Sequence, residues 1–413
     1  MRPHPLLLVA LLLAGPAAAA CAGPDPVEDA PEIRPGIEVL LSDSLHLVAD
    51  RRVGLVTNHS AIDREGVLAI DRLHGAQGVE LVALYSPEHG IRGTAEAGER
   101  VESEVDTRTG LPIHSLYGDT RKPTSEMLEG VDILLFDILD IGTRYYTYIY
   151  TMALAMEAAG EAGIPFVVLD RPNVIGGGPA QGNLLDPDFA SFVGMYPLPM
   201  RHGLTPGELA RLYRGEFGIE AELRVVPVEG LRREMDFDDT GLPWIAPSPN
   251  MPSVESAYHY PGTCLFEGTN LSVGRGTPAA FQQVGAPWLD GEAVVERLRE
   301  HGLPGVTFEA VRFTPDAPGD GKFGGEEVSG VRLHLTHREA YDPTRTGVAL
   351  LVVLRELSGA RWEWRESHFD RLAGTDALRL GIEAGASVEA LTEGWEAASA
   401  DFDARVEEYR IYP

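Results

Sequence analysis

Between residues 51 and 228 the chain repeats one pattern: a short unbroken apolar run, a polar cluster at its end, then residues at helical spacing. Residues 51–60 read as a strand ending in Asn58 and His59, and residues 62–73 as the helix after it, with Val67, Ile70 and Leu73 on one face. Residues 79–84 form a second strand, residues 111–117 a short third and residues 123–128 a short helix. Residues 131–137 are a buried strand, residues 148–162 an amphipathic helix stopped by Gly163, residues 164–169 a strand and residues 223–228 the last of the series. Thr205 opens a further helix, with Pro206 at its first position and Glu208 completing a capping box. Unbroken apolar runs alternating with helices predict an α/β fold whose parallel sheet is covered on both faces.

The polar clusters fall at the same end of successive strands: Asn58-His59, Glu88-His89, Asp137 with Arg144, and Asp170-Arg171. Open parallel sheets bind ligands along that rim. The stretch Ser86-Pro87-Glu88-His89-Gly90 is the most pointed of the four, because Pro87 keeps Ser86 extended and the glycines let the backbone bend close to a ligand. Beyond residue 243 the pattern changes. Residues 243–261 are rich in proline and read as an irregular crossing. Residues 264–277 are polar and glycine-rich. The remainder mixes a helix (291–301), strands (306–313 and 330–336) and helices from residue 346 onward, a second, smaller α+β domain.

A chain of 413 residues is long enough for two cores. The expected organisation is residues 36–262 as a catalytic domain and residues 263–413 as an auxiliary one, preceded by a leader (1–21) and a tether (22–35) rich in Pro, Asp and Glu. The leader has Arg2 and His4 before an apolar run over residues 6–20, too short to span a bilayer and laid out as a secretory signal. The small residues leading into Cys21 resemble a lipobox, with Ala18 where a leucine is usual. The expectation is export to the periplasm or cell envelope, with contact to the membrane only through a lipid on Cys21. A net charge of −29 argues against nucleic acid and anionic membrane surfaces as partners. The other cysteine, Cys264, reads as a small buried residue.

Several chemistries fail on the residues present. There is no G-x-S-x-G elbow, no Walker A sequence and no H-E-x-x-H, and Gly176-Gly177-Gly178 lacks the last glycine of a dinucleotide fingerprint. Two lone cysteines exclude a zinc–cysteine site, and His59, Glu88, His89 and His202 have no ligand spacing, so neither metal nor cofactor is expected. Carboxylate chemistry remains. A glycosidase needs an acid for the leaving oxygen and a second group for water or the sugar. Glu88 is the candidate acid, with Asp137, Asp170 or Glu267 across from it; Tyr145, Tyr146, Tyr148 and Trp244 offer aromatic surface. The competing reading is that Asp137 and Asp170 cap helices or pair with Arg144 and Arg171.

The ordered strings S-P-E-H-G-I-R-G, S-L-Y-G, F-D-I-L-D-I-G-T-R-Y-Y-T-Y, L-D-R-P-N, R-H-G-L-T-P-G-E-L-A, P-S-P-N-M-P-S and F-E-G-T-N-L-S-V-G-R-G-T resemble a bacterial family of exo-β-N-acetylmuramidases, from about residue 36 to the C-terminus. The resemblance implies a Rossmann-like domain with a smaller auxiliary domain and the active site in the cleft between them. It implies release of N-acetylmuramic acid from the non-reducing end of peptidoglycan fragments, with Glu88 as the central catalytic group and His89 beside it. Its strings place Arg92, Arg144, Tyr145, Tyr146, Arg171, His202, Glu267, Asn270 and Arg275 in segments that would meet the sugar, and the rim residue Asn58 and Gln181, after the L-D-R-P-N loop, join them as candidate contacts. The lactyl carboxylate needs a cation, for which Arg92, Arg144, Arg171 and Arg275 are the candidates. Many members of the family carry an acid after the L-D-R-P-N loop, where this chain has Gln181; were that acid catalytic, the enzyme would be slow or altered. The alternative is a secreted muropeptide-binding protein with little catalysis. An esterase or amidase acting on cell-wall material is weaker, for want of a serine elbow.

Overall fold

Alternate residues of each central strand go to opposite layers, and this sorting organises the first half of the molecule. The computed structural model describes residues 1, 32–93, 95 and 98–413; the leader, Cys21 and most of the expected tether lie outside them. Residues Glu32–Pro413 form one compact unit, and only this unit is described. It begins with α1 (Gly36–Asp43), β1 (Arg52–Thr57), α2 (Ala69–Gly75), β2 (Glu80–Ser86), β3 (Glu104–Val105), β4 (Pro112–Ser115) and β5 (Ile133–Asp137). There follow α3 (Tyr148–Ala162), β6 (Phe166–Leu169), β7 (Gln181–Leu184), β8 (Pro199–Arg201), α4 (Pro206–Glu216) and β9 (Leu223–Val226). The main sheet runs β3-β4-β2-β1-β5-β6-β9, parallel throughout except for β3 at its edge, while β7 and β8 form a separate hairpin. Leu134, Phe136, Phe166 and Val168 face α3 and α4; Ile133, Leu135, Val167 and Leu169 face α1 and α2. Both faces are covered, as the unbroken apolar runs predicted.

The second half contributes α5 (Val254–Thr263), β10 (Gln283–Ala286), α6 (Gly291–Arg299), β11 (Val306–Phe313), β12 (Val328–Leu335), α7 (Pro343–Ser358) and α8 (Glu366–Ala373), then α9 (Ala377–Glu383), α10 (Val388–Leu391) and α11 (Trp395–Val406). Its sheet is antiparallel in the order β10-β12-β11. The apolar layer under α3 continues without a break into this half, through Tyr260, Phe281, Val284, Val331 and Leu350. Helices α5 and α7 cross at glycines: a Cβ on Gly262 would lie 2.1 Å from the Pro343 carbonyl oxygen.

Five local expectations are corrected. Residues 62–68 are not helical, because the Asp63 carboxylate accepts from the N–H groups of Glu65 and Val67 and closes a turn, so α2 starts at Ala69. Residues 123–128 are not helical, and residues 125–130 form turns. The helix α3 is buried nearly all round, not along one stripe, because the rest of the core lies on its outer side. The proline-rich crossing ends in α5, a helix that accommodates Pro261 near its end. The end of the expected tether is built in: Ile33 is buried, and Arg34 pairs with Glu229.

Candidate active site

The loop after β2 carries the site's central carboxyl. Ser86 ends the strand buried, Pro87 turns the chain, and Glu88 and His89 follow. His89 itself adopts φ +70°, ahead of Gly90 at +75° and Gly93 at +68°. A bulky residue in this region stores strain of roughly 1–3 kcal/mol and persists only where its surroundings hold it. Here Nδ1 lies 2.6 Å from the Ala95 carbonyl oxygen, and the ring meets Tyr148 edge-on with centroids 6.5 Å apart. A carbonyl can only accept, so Nδ1 is the donor there. Gly93 is required by close approach: a Cβ there would lie 1.9 Å from the His59 ring, which is fixed by its own contact with the Ala246 carbonyl at 2.7 Å.

Glu88 is 9% exposed. Its Oε1 accepts from the Gly98 N–H at 2.9 Å and its Oε2 from the Thr147 hydroxyl at 2.7 Å. Thr147 precedes α3 but makes no capping bond with its side chain, which leaves the hydroxyl for Glu88. The Tyr117 phenol is pushed up to about 12, first by burial and then by the neighbouring Glu88 carboxylate.

Glu88 lines a cleft of about 280 Å³. The main sheet's rim supplies Glu88, His89, Tyr117 and the run Tyr145 to Tyr148; the segment before α5 supplies Ser248 and Asn250; the second half supplies Tyr260, Glu267, Arg275, Phe281, Asp320, Arg365 and His368. Tyr145 donates to the Pro261 carbonyl and Tyr148 to the Pro247 carbonyl at 2.6 Å, so the rings of the wall are pinned from behind. Tyr146 stands edge-on to both Tyr148 and Tyr260. Burial opposes the charge of Glu267, but Arg275, whose Nε donates to it at 2.7 Å, outweighs that and holds the carboxyl below its ordinary value. The Arg275 guanidinium also lies over Phe281, 5.2 Å from the ring centroid.

The structure thus gathers Glu88, His89, Tyr145, Tyr146, Tyr148, Glu267 and Arg275 from the residues singled out in the sequence. The others do not line the cleft. Asp137 and Arg171 form a buried ion pair, and Arg171 also donates to the Ile62 carbonyl at 2.8 Å. Asp170 accepts from the N–H groups of Arg171 and Gly207 and the hydroxyls of Thr205 and Tyr412; burial raises its carboxyl to about 6. Arg144 is fully buried and donates to four carbonyls, those of Asn183, Leu198, Leu372 and Ala373. Asn58 accepts from Ser60, Arg92 pairs with Asp106, and Asn270 bonds the backbone at Arg361 and Glu363. His202 is buried with Nε2 3.5 Å from Asp140. Gln181 spans Arg201 and the Tyr341 carbonyl. Trp244 packs on Phe237 and donates to the Pro252 carbonyl at 3.1 Å. Asp137, Asp170, Arg144, Arg171, Gln181 and Asn270 thus join segments distant in sequence, and the ion-pair reading of Asp137 fits its contact with Arg171, whereas the Asn58 side chain bonds its near neighbour Ser60. Among the described residues, no group of three or more His, Cys, Asp or Glu could hold a metal ion.

Sequence reasoning missed Tyr117, Thr147, Ser248, Asn250, Tyr260, Phe281, Asp320, Arg365 and His368. The first four sit inside the quoted strings S-L-Y-G, R-Y-Y-T-Y and P-S-P-N, so the signal was there but attached to their neighbours. Arg365 and His368 lie in a stretch that read only as C-terminal helix.

The same architecture occurs elsewhere. Profiles described as "Exo-beta-N-acetylmuramidase NamZ, N-terminal" and "Exo-beta-N-acetylmuramidase NamZ, C-terminal" match residues 53–255 and 258–412. A Bacillus subtilis (strain 168) protein, peptidoglycan beta-N-acetylmuramidase NamZ, is 46% identical over 409 residues, 98% of each chain. Two crystal structures of DUF1343 family proteins from Bacteroides fragilis NCTC 9343 superpose with TM-scores of 0.86 and 0.75, at 36% and 30% identity, each covering 92% of this chain and 99% of its own. Matched in both halves and at this identity along its length, the chain belongs to the exo-β-N-acetylmuramidase NamZ family.

Proposed function

We propose that this protein is a glycoside hydrolase that releases N-acetylmuramic acid from the non-reducing end of peptidoglycan fragments, with Glu88 as the group that protonates the departing glycosidic oxygen. One observation carries the assignment of Glu88. Of the carboxyls lining the cleft, Glu267 is tied to Arg275 and Asp320 lies 3.8 Å from Lys322, whereas Glu88 has no cationic partner among the described residues. Among the described residues it is held instead by the Gly98 N–H and the Thr147 hydroxyl, which fix its direction toward the cleft, with the Tyr117 phenol beside it. Around it, Tyr145, Tyr146, Tyr148 and Tyr260 offer ring faces and edges suited to a pyranose. A cleft near the lower end of ligand pockets, roughly 300 Å³, suits one terminal sugar better than a glycan threaded through it, which supports an exo mode of attack. In this reading residues 36–262 carry the acid and residues 263–413 close the cleft over the sugar.

The test is Glu88→Gln assayed on a chromogenic N-acetylmuramide. The expected loss in kcat is on the order of 10²–10⁴-fold, with the circular dichroism spectrum unchanged. Near-normal turnover would sink the assignment. The binding-protein alternative rested on a polar cleft between two domains, with added weight from Gln181, which does not line the cleft; turnover of the chromogenic substrate by the wild type decides between the two.

The same proposal extends to location. The leader's charge, apolar run and Cys21 support export with a lipid on Cys21. Mass spectrometry of the mature N-terminus checks this: a diacylglyceryl cysteine at position 21 is expected, and an intact Met1 in the membrane-free fraction would rule it out.

A further inference from the structure

The cleft's charges are unevenly divided. The wall contributed by the second half holds Arg275, Arg365 and His368, and Lys322 lies just behind it, against two carboxylates, Glu267 and Asp320. Most of these charges are already spent. Arg275 is bound to Glu267, and Lys322 donates to the carbonyls of Phe266 at 3.0 Å and Leu271 at 2.8 Å besides facing Asp320. Arg365 is different. It immediately precedes α8, and its backbone N–H is fixed to the Gly268 carbonyl at 2.8 Å. Its side chain is exposed and has no carboxylate or carbonyl partner among the described residues. Its positive charge reaches both His368 and Lys322, where it adds to burial in disfavouring a further proton, while Glu267, which also acts on both, is tied to Arg275. A guanidinium that lines a cleft with no carboxylate or carbonyl partner among the described residues is an unfilled demand for an anion.

We propose that Arg365, with His368 beside it, binds the lactyl carboxylate of the muramic acid ring and is the residue that separates N-acetylmuramic acid from N-acetylglucosamine. This rests on the substrate class proposed above for the same cleft. The two sugars share every group except the 3-O-lactyl ether, so selection between them requires a site for one carboxylate. The four arginines expected for this role are otherwise placed: Arg92, Arg144 and Arg171 lie outside the cleft, and Arg275 is occupied by Glu267. The planar fork of Arg365 supplies two parallel N–H groups to the carboxylate. The ring of His368, half-buried next to it, limits where that carboxylate can lie.

The experiment measures binding and turnover separately, on four probes: N-acetylmuramic acid, its lactyl methyl ester, N-acetylglucosamine, and the chromogenic N-acetylmuramide. Arg365→Gln is expected to weaken binding of N-acetylmuramic acid by roughly ten- to a hundredfold, while binding of the methyl ester and of N-acetylglucosamine changes less than twofold. On the chromogenic N-acetylmuramide, KM rises with kcat nearly unchanged. Arg365→Lys recovers part of the loss, because the charge is kept and the fork is not. Equal losses on the charged acid and its neutral ester, or no loss on either, would overturn the proposal. Glu88→Gln separates this idea from the assignment of the acid: it should bind N-acetylmuramic acid within about twofold of the wild type while kcat falls on the order of 10²–10⁴-fold.

Discussion

Thr147 has one hydroxyl and two uses for it. As the residue before α3 it could cap the helix, yet the hydroxyl goes to Glu88. Thr147→Val keeps the shape and removes that bond, so kcat should fall roughly tenfold or more while KM stays near its wild-type value; unchanged kcat would show that Glu88 does not need this orientation. Gln181 makes the opposite prediction. Its amide accepts from Arg201 at 3.1 Å and donates to the Tyr341 carbonyl at 3.2 Å, away from the cleft. Gln181→Glu should therefore leave kcat/KM within about twofold, and a large gain would return the second catalytic group to this position. Single residues are also where the sequence was least legible. Glu88 could be read because a carboxyl and an imidazole followed a strand and preceded glycines. Asp137, Asp170 and Arg171 occupy equivalent strand ends and carry the same side-chain types, but their partners come from segments distant in sequence, such as Ile62 and Tyr412. No local pattern tells a rim acid that faces a sugar from one that faces an arginine.

Elements were more legible, because their causes are local. The capping box at α4 is present as expected, with the Thr205 hydroxyl accepting from the Glu208 N–H and the Glu208 carboxylate accepting from the Thr205 N–H. The same hydroxyl donates to Asp170, which the sequence did not reveal. Thr205→Ala thus removes a cap and strips a buried carboxylate of a donor. The expected destabilisation is about 2 kcal/mol or more, above the ~1 kcal/mol of an ordinary cap, read as a lower urea midpoint with unchanged slope. Where elements were misread, a side chain or a distant packing partner had intervened. Asp63 captured two backbone N–H groups that a helix would have used differently. Around α3, the second half of the chain buried a face expected to be wet. The expected crossing continued into α5 because its glycine meets Gly347 of α7, a contact 85 residues away in sequence.

At the scale of the whole molecule, one carboxyl sets a pH dependence. Burial raises Asp170 to about 6, above its value in an unfolded chain. A carboxyl with a raised folded-state pKa binds more protons when folded, so its contribution to stability is greatest below about pH 4 and declines as pH rises to about 6. The decline is on the order of 3 kcal/mol. Glu267, held low by Arg275 against burial, works in the other sense: its contribution is present above the ordinary glutamate range and is lost as pH falls. Urea denaturation of Asp170→Asn between pH 4 and 6 should show a flatter or rising profile where the wild type falls; parallel profiles would mean that Asp170 does not titrate there.

Asp170 also receives the Tyr412 hydroxyl, one residue from the end of the chain. The neighbouring tail is fixed in the same region: the Ile411 N–H donates to Glu208, and the Pro413 carbonyl accepts from the Arg233 N–H. The rim that begins with β1 is therefore closed by residues 411–413, from the opposite end of the described fold. Without those three residues the buried carboxylates of Asp170 and Glu208 would each lose a donor, so the two ends of the fold stand or fall together.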